Sequence, residues 1–264
     1  MNVVARFLIQ ATCVATLTVK AEESEPSYAD RMEYLSSVGQ YDVSALVSIL
    51  GDPANCSQMT LSQERSFINE AMNTLRRLYR EDAGIEELLI QVAQNDSRDV
   101  GVREYALQHM MLLYDVSTHK ERIAACLTNT AATPPLDVAA LLQLNHLDHT
   151  HHVLDRETFA DLVLQSANRE GLRNADRVTL LALASERQIT SILPEVRIWA
   201  TNSTSRGVMI GSAAFLAGFG SQRDLAVLNH MRPAADHLGV QRQLTTATTR
   251  LTQRLTDKED IPHE

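Results

Sequence analysis

Apolar side chains recur along this chain at intervals of three and four residues, the spacing that lines one face of an α-helix. The clearest stretch is Gly84 to Asp115. Ile85, Leu88, Leu89 and Val92 fall at i, i+3, i+4 and i+7, which predicts one buried helix face, and Asn95-Asp96-Ser97 interrupts it. Asp99 is placed to cap a second helix, because its carboxylate can accept from the unpaired N–H groups of a first turn. Val102, Tyr105, Ala106, Met110 and Leu113 share one side of that helix. The unit is an amphipathic helix, a short polar turn and a more apolar helix.

The same template predicts first helices starting near Asp42, Gly84, Thr118, Asp155, Thr190 and Gln222, a recurrence of 32 to 42 residues. Second helices are expected near 61–80, 100–114, 136–147, 174–187, 206–219 and 235–255. No segment carries the period-two alternation of a strand. Each pair cannot bury its apolar face alone, so the pairs must stack, and the expected fold is an all-α, right-handed α-solenoid of about six helix pairs. The breakers agree with these boundaries. Gly51-Asp52-Pro53 ends one helix, Gly171 and Gly220 follow others, and Pro194 and Pro134-Pro135 are expected in first turns, where a missing N–H is harmless.

Over the best-ordered unit the chain resembles the HEAT-repeat family. The resemblance lies in EELLIQVAQNDSRDVGVREYALQHMMLLYD, where Asn95, Asp96, Asp99, Val102, Arg103, Ala106 and Leu107 match an apolar first helix ending in Asn-Asp, an acidic turn, and a Val-Arg-x-x-Ala-Leu second helix. The other five units match in period and apolar pattern. What the resemblance implies is a stack of HEAT-like pairs, in the armadillo-like class of α-solenoids, whose surfaces bind protein partners without catalysis.

Composition adjusts this picture at the N-terminus. Arg6 precedes Phe7–Val19, an uncharged run of 13 residues, and Val19-Lys20-Ala21 supplies a cleavage-site pattern before Glu22. That is the layout of a secretory signal peptide. The run is too short to span a bilayer as a helix. The expected organisation is a signal peptide over 1–21, a lead-in with a first short helix over 22–41 (residues 22–30 disordered), a HEAT-like repeat domain over 42–256 and a flexible polar tail over 257–264. The expected location is periplasmic or extracellular, with no membrane span after cleavage. Without residues 1–21 the chain carries 22 basic and 33 acidic residues, a net charge of −11, which argues against nucleic acid as a partner. Cys56 and Cys126 lie two units apart and are expected as isolated packing thiols rather than a disulfide.

Candidate chemistry is sparse. NHLDHTHH, residues 145–152, gathers His146, His149, His151 and His152, residue types that ligate zinc, nickel or copper. The competing expectation, and the favoured one, is a solvated inter-helix loop, because adjacent side chains on a turn diverge. GVMIGSAAFLAGFG, residues 207–220, lacks the Lys-Ser/Thr of a phosphate loop. Its Gly207, Gly211, Ala214 and Gly218 instead predict a smooth helix face for close packing. His109 falls on an apolar face and is expected as a hydrogen-bonded core residue. Arg76, Arg77 and Arg80 end a helix, where cations oppose its dipole. No nucleophile elbow or paired catalytic carboxylates stand out, and no cofactor is expected. The chain therefore reads as an exported, non-catalytic scaffold for an unidentified protein partner, with a metal-binding or accessory enzymatic role for the histidine run as the alternative.

Overall fold

In the computed structural model, residues 26–39, 42–56, 58–79, 84–234 and 237–259 are described. The described residues form thirteen α-helices and no strand. Residues 1–21, where a signal peptide is expected, lie outside them. The chain divides into two compact units at Ile123/Ala124.

The N-terminal unit holds α1 (Tyr28–Ser37), α2 (Val43–Gly51), α3 (Leu61–Arg77), α4 (Ile85–Gln94) and α5 (Val100–Leu113). A capping box opens α1: Ser27 Oγ accepts from Asp30 N–H and the Asp30 carboxylate accepts from Ser27 N–H, each satisfying an orphan donor. This corrects the disordered lead-in expected over 22–30, since Tyr28–Asp30 are helical and 22–25 lie outside the described residues. Thr60 and Gln63 form the same box at α3. Asp99 caps α5 as expected, accepting from Gly101 N–H at 2.9 Å. Helix α1 packs on α3, α2 on α3 and α4, α3 on α5, and α4 on α5. Leu46, Phe67, Ile68, Met72, Leu75, Leu89, Leu107 and Met110 fill the core between them.

Polar pairs set the order of those helices. Arg65 on α3 grips Asp99 at the start of α5 with two hydrogen bonds, 2.7 and 3.0 Å, the forked geometry that guanidinium and carboxylate share. Arg65 holds the Asp99 carboxyl below the usual carboxylate range. His109 is 3% exposed, with Nε2 3.2 Å from Asn69 Oδ1, the core position expected of it. Burial, aided by the charge of Arg76, pushes its pKa down to about 4, so the ring is neutral at physiological pH.

Helix α6 (Lys120–Ala131) contains the division between the units. The C-terminal unit continues with α7 (Asp137–His151), α8 (Arg156–Ala167), α9 (Asn174–Arg187), α10 (Leu193–Asn202), α11 (Arg206–Phe219), α12 (Asp224–Ala234) and α13 (Leu238–Glu259). Pro194 stands in the first turn of α10. Pro134 and Pro135 instead lie in the turn before α7, which starts at Asp137 where a helix from about 136 was expected. Helix α13 runs to Glu259, so the flexible tail expected from 257 is helical over Asp257–Glu259, and 260–264 lie outside the described residues.

Helix α7 packs on α8 and α9, α9 on α8 and α11, α11 on α10, α12 and α13, and α10 and α13 both on α12. Within this unit α7, α9, α11 and α13 form a layer of neighbours. Early residues of α9 meet early residues of α11: a Cβ added at Gly207 would stand 3.2 Å from Val178, and one at Gly211 3.0 Å from Leu181. Late residues of α13 meet the end of α11, where the Arg254 guanidinium donates to the carbonyls of Ala217 and Gly220. Helices in this layer therefore run the same way. Arg197 on α10 holds Asp224 at the start of α12 through bonds of 2.6 and 3.0 Å. Burial pushes the Asp224 carboxyl up, but Arg197 and the Ser221 N–H outweigh it and leave the carboxyl below its ordinary range.

Candidate interaction surface

The histidine run is helical. Helix α7 extends through His151, and His152 ends it in the left-handed conformation at φ 52°. This corrects the loop expected over 145–152. The reason lies in the residues between the histidines. Asn145 and Asp148 sit three apart on the buried side, 3% and 8% exposed, and Arg187 from the end of α9 reaches both. Its Nε donates to Asn145 Oδ1 at 2.6 Å, Nη1 to Asp148 Oδ2 at 2.7 Å and Nη2 to the Asn145 carbonyl at 3.2 Å. The guanidinium also lies 5.4 Å from the centre of the Phe159 ring, within cation–π range. Buried polar groups satisfied across two helices hold the last turns of α7 in register.

Of the four histidines, His146, His149 and His152 are exposed and His151 is half-buried. His149 Nε2 is bonded to Glu186 of α9, whose other oxygen accepts from Asn145 Nδ2 at 3.1 Å. Burial raises the Glu186 carboxyl, and these two bonds outweigh it, leaving it below its ordinary range. No group of three or more His, Cys, Asp or Glu placed to hold a metal ion occurs among the described residues. Cys56 and Cys126 are buried free thiols, both pushed up by burial. In a cleft of about 430 Å³ near Pro26, three of the polar lining residues are engaged: Ser27 and Gln63 close capping boxes, and Arg31 donates to the Pro26 and Asn55 carbonyls.

The glycine-rich helix α11 divides its small residues between two tasks. Gly207 and Gly211 admit Val178 and Leu181 of α9, as expected of a close-packing face. Ala214 and Gly218 are exposed, and no side chain of the unit covers Gly218 within 4 Å of where a Cβ would stand. The solvent side of the α9–α11–α13 layer thus carries Val178 and Ile210, 38% and 36% exposed, among small residues. On α13, Thr246 and Thr249 donate their hydroxyls to the Arg242 and Thr245 carbonyls of their own helix. A threonine bonded back in this way presents its methyl group to solvent.

Charge is distributed unevenly over this region. Residues 188–256 contain seven Arg and three acids, Glu195, Asp224 and Asp236, within a chain of net charge −9. Helix α11 contains no acid, and α13 none before Asp257. Arg197 and Arg254 are consumed by Asp224 and by helix-end carbonyls, whereas Arg206, Arg242 and Arg250 are exposed and make no ion pair with another described residue. A summed hydrophobicity profile marks this region as merely helical. The signal that distinguishes it is the loss of acids after Gln188 combined with threonine and glycine at positions the 3.6-residue period leaves outward.

Comparison with protein-family models, with curated proteins and with solved structures returns no match.

Proposed function

We propose that this chain is an exported, non-catalytic scaffold built from HEAT-like helix pairs, and that it binds a protein partner. The observation that carries this reading is the packing order within each unit. Alternate helices lie side by side, α2 with α4 and α3 with α5 in one unit, α7 with α9, α11 and α13 and α10 with α12 in the other. That is the arrangement in which helix pairs stack and leave a layer of parallel helices facing solvent. Such a layer offers repeated side chains at helix spacing, a surface suited to an extended or helical partner rather than to a small substrate. The recurring Arg–Asp clasps, Arg65 on Asp99 and Arg197 on Asp224, support the stacking reading further, since each locks one helix to the start of another helix in its own unit.

Chemical cross-linking of the native chain in the fraction that holds it, followed by mass spectrometry of the conjugates, tests the proposal. A stoichiometric protein partner cross-linked to residues of a helix layer is the expected result. Cross-links confined to the chain itself, together with turnover of a small substrate by the purified protein, would overturn it.

A further inference from the structure

We propose that two copies of this chain associate through α13, laid antiparallel about a twofold axis, with Arg242 of each copy paired to Asp257 of the other and the exposed threonines of the two helices in contact between those pairs. The inference concerns one helix of the C-terminal unit and does not depend on the partner proposed above.

Helix α13 is 22 residues long and buries one face, where Val240, Leu244, Ala247 and Leu251 pack toward α11 and α12. At about 100° per residue, Thr245, Thr249, Thr252 and Thr256 fall within about 60° of one another, on a line roughly 140° around the helix from that buried face. All four are exposed. Each hydroxyl donates to the carbonyl four residues earlier, at 2.8 to 3.1 Å along the helix, so the line turns methyl groups outward. Between Thr245 and Thr256 it carries no charge. The helix thus leaves a neutral, methyl-bearing face uncovered along its length.

The charges at the two ends of this face select the occupant. Arg242 and Asp257 are exposed and make no ion pair with another described residue. Both lie on the same flank of the threonine line, about 60° and about 120° from Thr245. In an antiparallel pair centred between Arg250 and Leu251, Thr245 faces Thr256 of the other copy and Thr249 faces Thr252. At about 1.5 Å per residue, Arg242 of one copy and Asp257 of the other are then offset by only about 3 Å along the axis. A twofold axis perpendicular to the helices brings like flanks together, so the ion pair forms twice. A parallel pair would set Arg242 against Arg242 and Asp257 against Asp257, which is unfavourable. Arg250 stands near the centre but about 140° around from Thr245, turned away from the contact. The net charge of −9 acts between whole chains and is screened beyond about 8 Å at physiological ionic strength, whereas the contact pairs its own charges one for one.

One helix laid on another buries less than the roughly 1,000 Å² of a durable interface, so the expected dimer is reversible, with a Kd of about 10 μM or weaker. Sedimentation velocity on the full chain, from about 5 μM to about 500 μM, tests it. A monomer–dimer equilibrium should appear across that range. Arg242→Asp alone and Asp257→Arg alone should each weaken association at least about tenfold, because each places like charges where a pair stood. Mixing those two variants in equal amounts should restore the dimer, and so should the double swap Arg242→Asp/Asp257→Arg within one chain. Thr249→Glu/Thr252→Glu, which sets four carboxylates at the centre of the contact, should abolish it. All of these positions are exposed, and an unchanged circular dichroism spectrum verifies that the variants fold. A chain that stays monomeric to the highest concentration would overturn the proposal. A dimer indifferent to these substitutions would place the contact on another face, and a loss that neither the mixture nor the double swap restores would refute the antiparallel pairing; either result overturns the inference.

Discussion

Replacing Arg187 by Met isolates the contribution of the clasp that holds α7 to α9. Methionine keeps an unbranched stem against Phe159 and removes the guanidinium. Three hydrogen bonds go with it, to Asn145 Oδ1, Asp148 Oδ2 and the Asn145 carbonyl. Asp148 is then a buried carboxylate whose remaining bond is the Leu154 N–H at 3.3 Å, and the Asn145 amide oxygen loses its charged donor. Removing one partner of a buried ion pair costs about 3–5 kcal/mol, and an orphaned neutral acceptor about 1–3 kcal/mol. Asp148 can relieve part of this by taking up a proton, and Arg187 is itself partly solvated, so the expected loss is about 3 kcal/mol. Thermal unfolding followed by circular dichroism should register this as a drop of several degrees in the transition of the C-terminal unit, on the order of 2–4 °C per kcal/mol for a domain of this size. Adding Asp148→Asn to the Met variant should recover part of the loss, because the uncompensated charge is gone. A loss below about 1 kcal/mol, the range of a surface pair, would mean that Arg187 is only a solvated side chain and that something else makes residues 145–151 helical.

Changing His146, His149, His151 and His152 together to Ala should shift stability by much less than Arg187→Met, and elemental analysis of tag-free protein should return no stoichiometric transition metal; one zinc per chain lost in the quadruple variant would make the metal-binding alternative the leading one. His109 gives the N-terminal unit a pH dependence of definite sign. Its pKa falls from 6.5 to about 4 on folding, so the unfolded chain binds the proton first and stability declines as pH drops from about 6.5 toward 4, by up to about 1.4 kcal/mol per pH unit. Urea titrations across that window should show the slope flattened in His109→Gln, and an unchanged slope would assign the effect to other groups. Gly211→Val should cost about 1–3 kcal/mol, since the new side chain overpacks the α9–α11 contact at Leu181; Gly218→Ala, with open space around it, should be neutral or slightly stabilising through lost backbone freedom. Intact-mass measurement of natively produced protein should find a mature chain starting at or close to Glu22, and Met1 retained on the soluble protein would sink the export proposal.

Helix positions were legible in the sequence because they are decided locally. Expected boundaries of 174–187 and 206–219 coincide with α9 and α11, Asp99 caps the helix it was placed to cap, and a helix expected to start near Asp155 starts there. Capping, periodicity and glycine or proline breakers act over a few residues, so the chain carries them without reference to its fold. The histidine run shows where that locality ends. NHLDHTHH reads as polar and therefore as loop, yet Asn145 and Asp148 are buried because Arg187, some forty residues later, arrives to satisfy them. No window of the sequence contains both halves of that clasp. The same holds for the candidate surface. Glycines at 207 and 211 announce close packing, but which small residues of α11 meet α9 and which face water depends on where α9 and α13 lie. The sequence by itself determined the all-helical class, the positions of helices such as 174–187 and 206–219, and the acid-poor composition of the last third. Tertiary structure decided which polar groups are buried partners, Asn145 and Asp148 under Arg187 above all, because burial and charge pairing are set by residues distant in the chain.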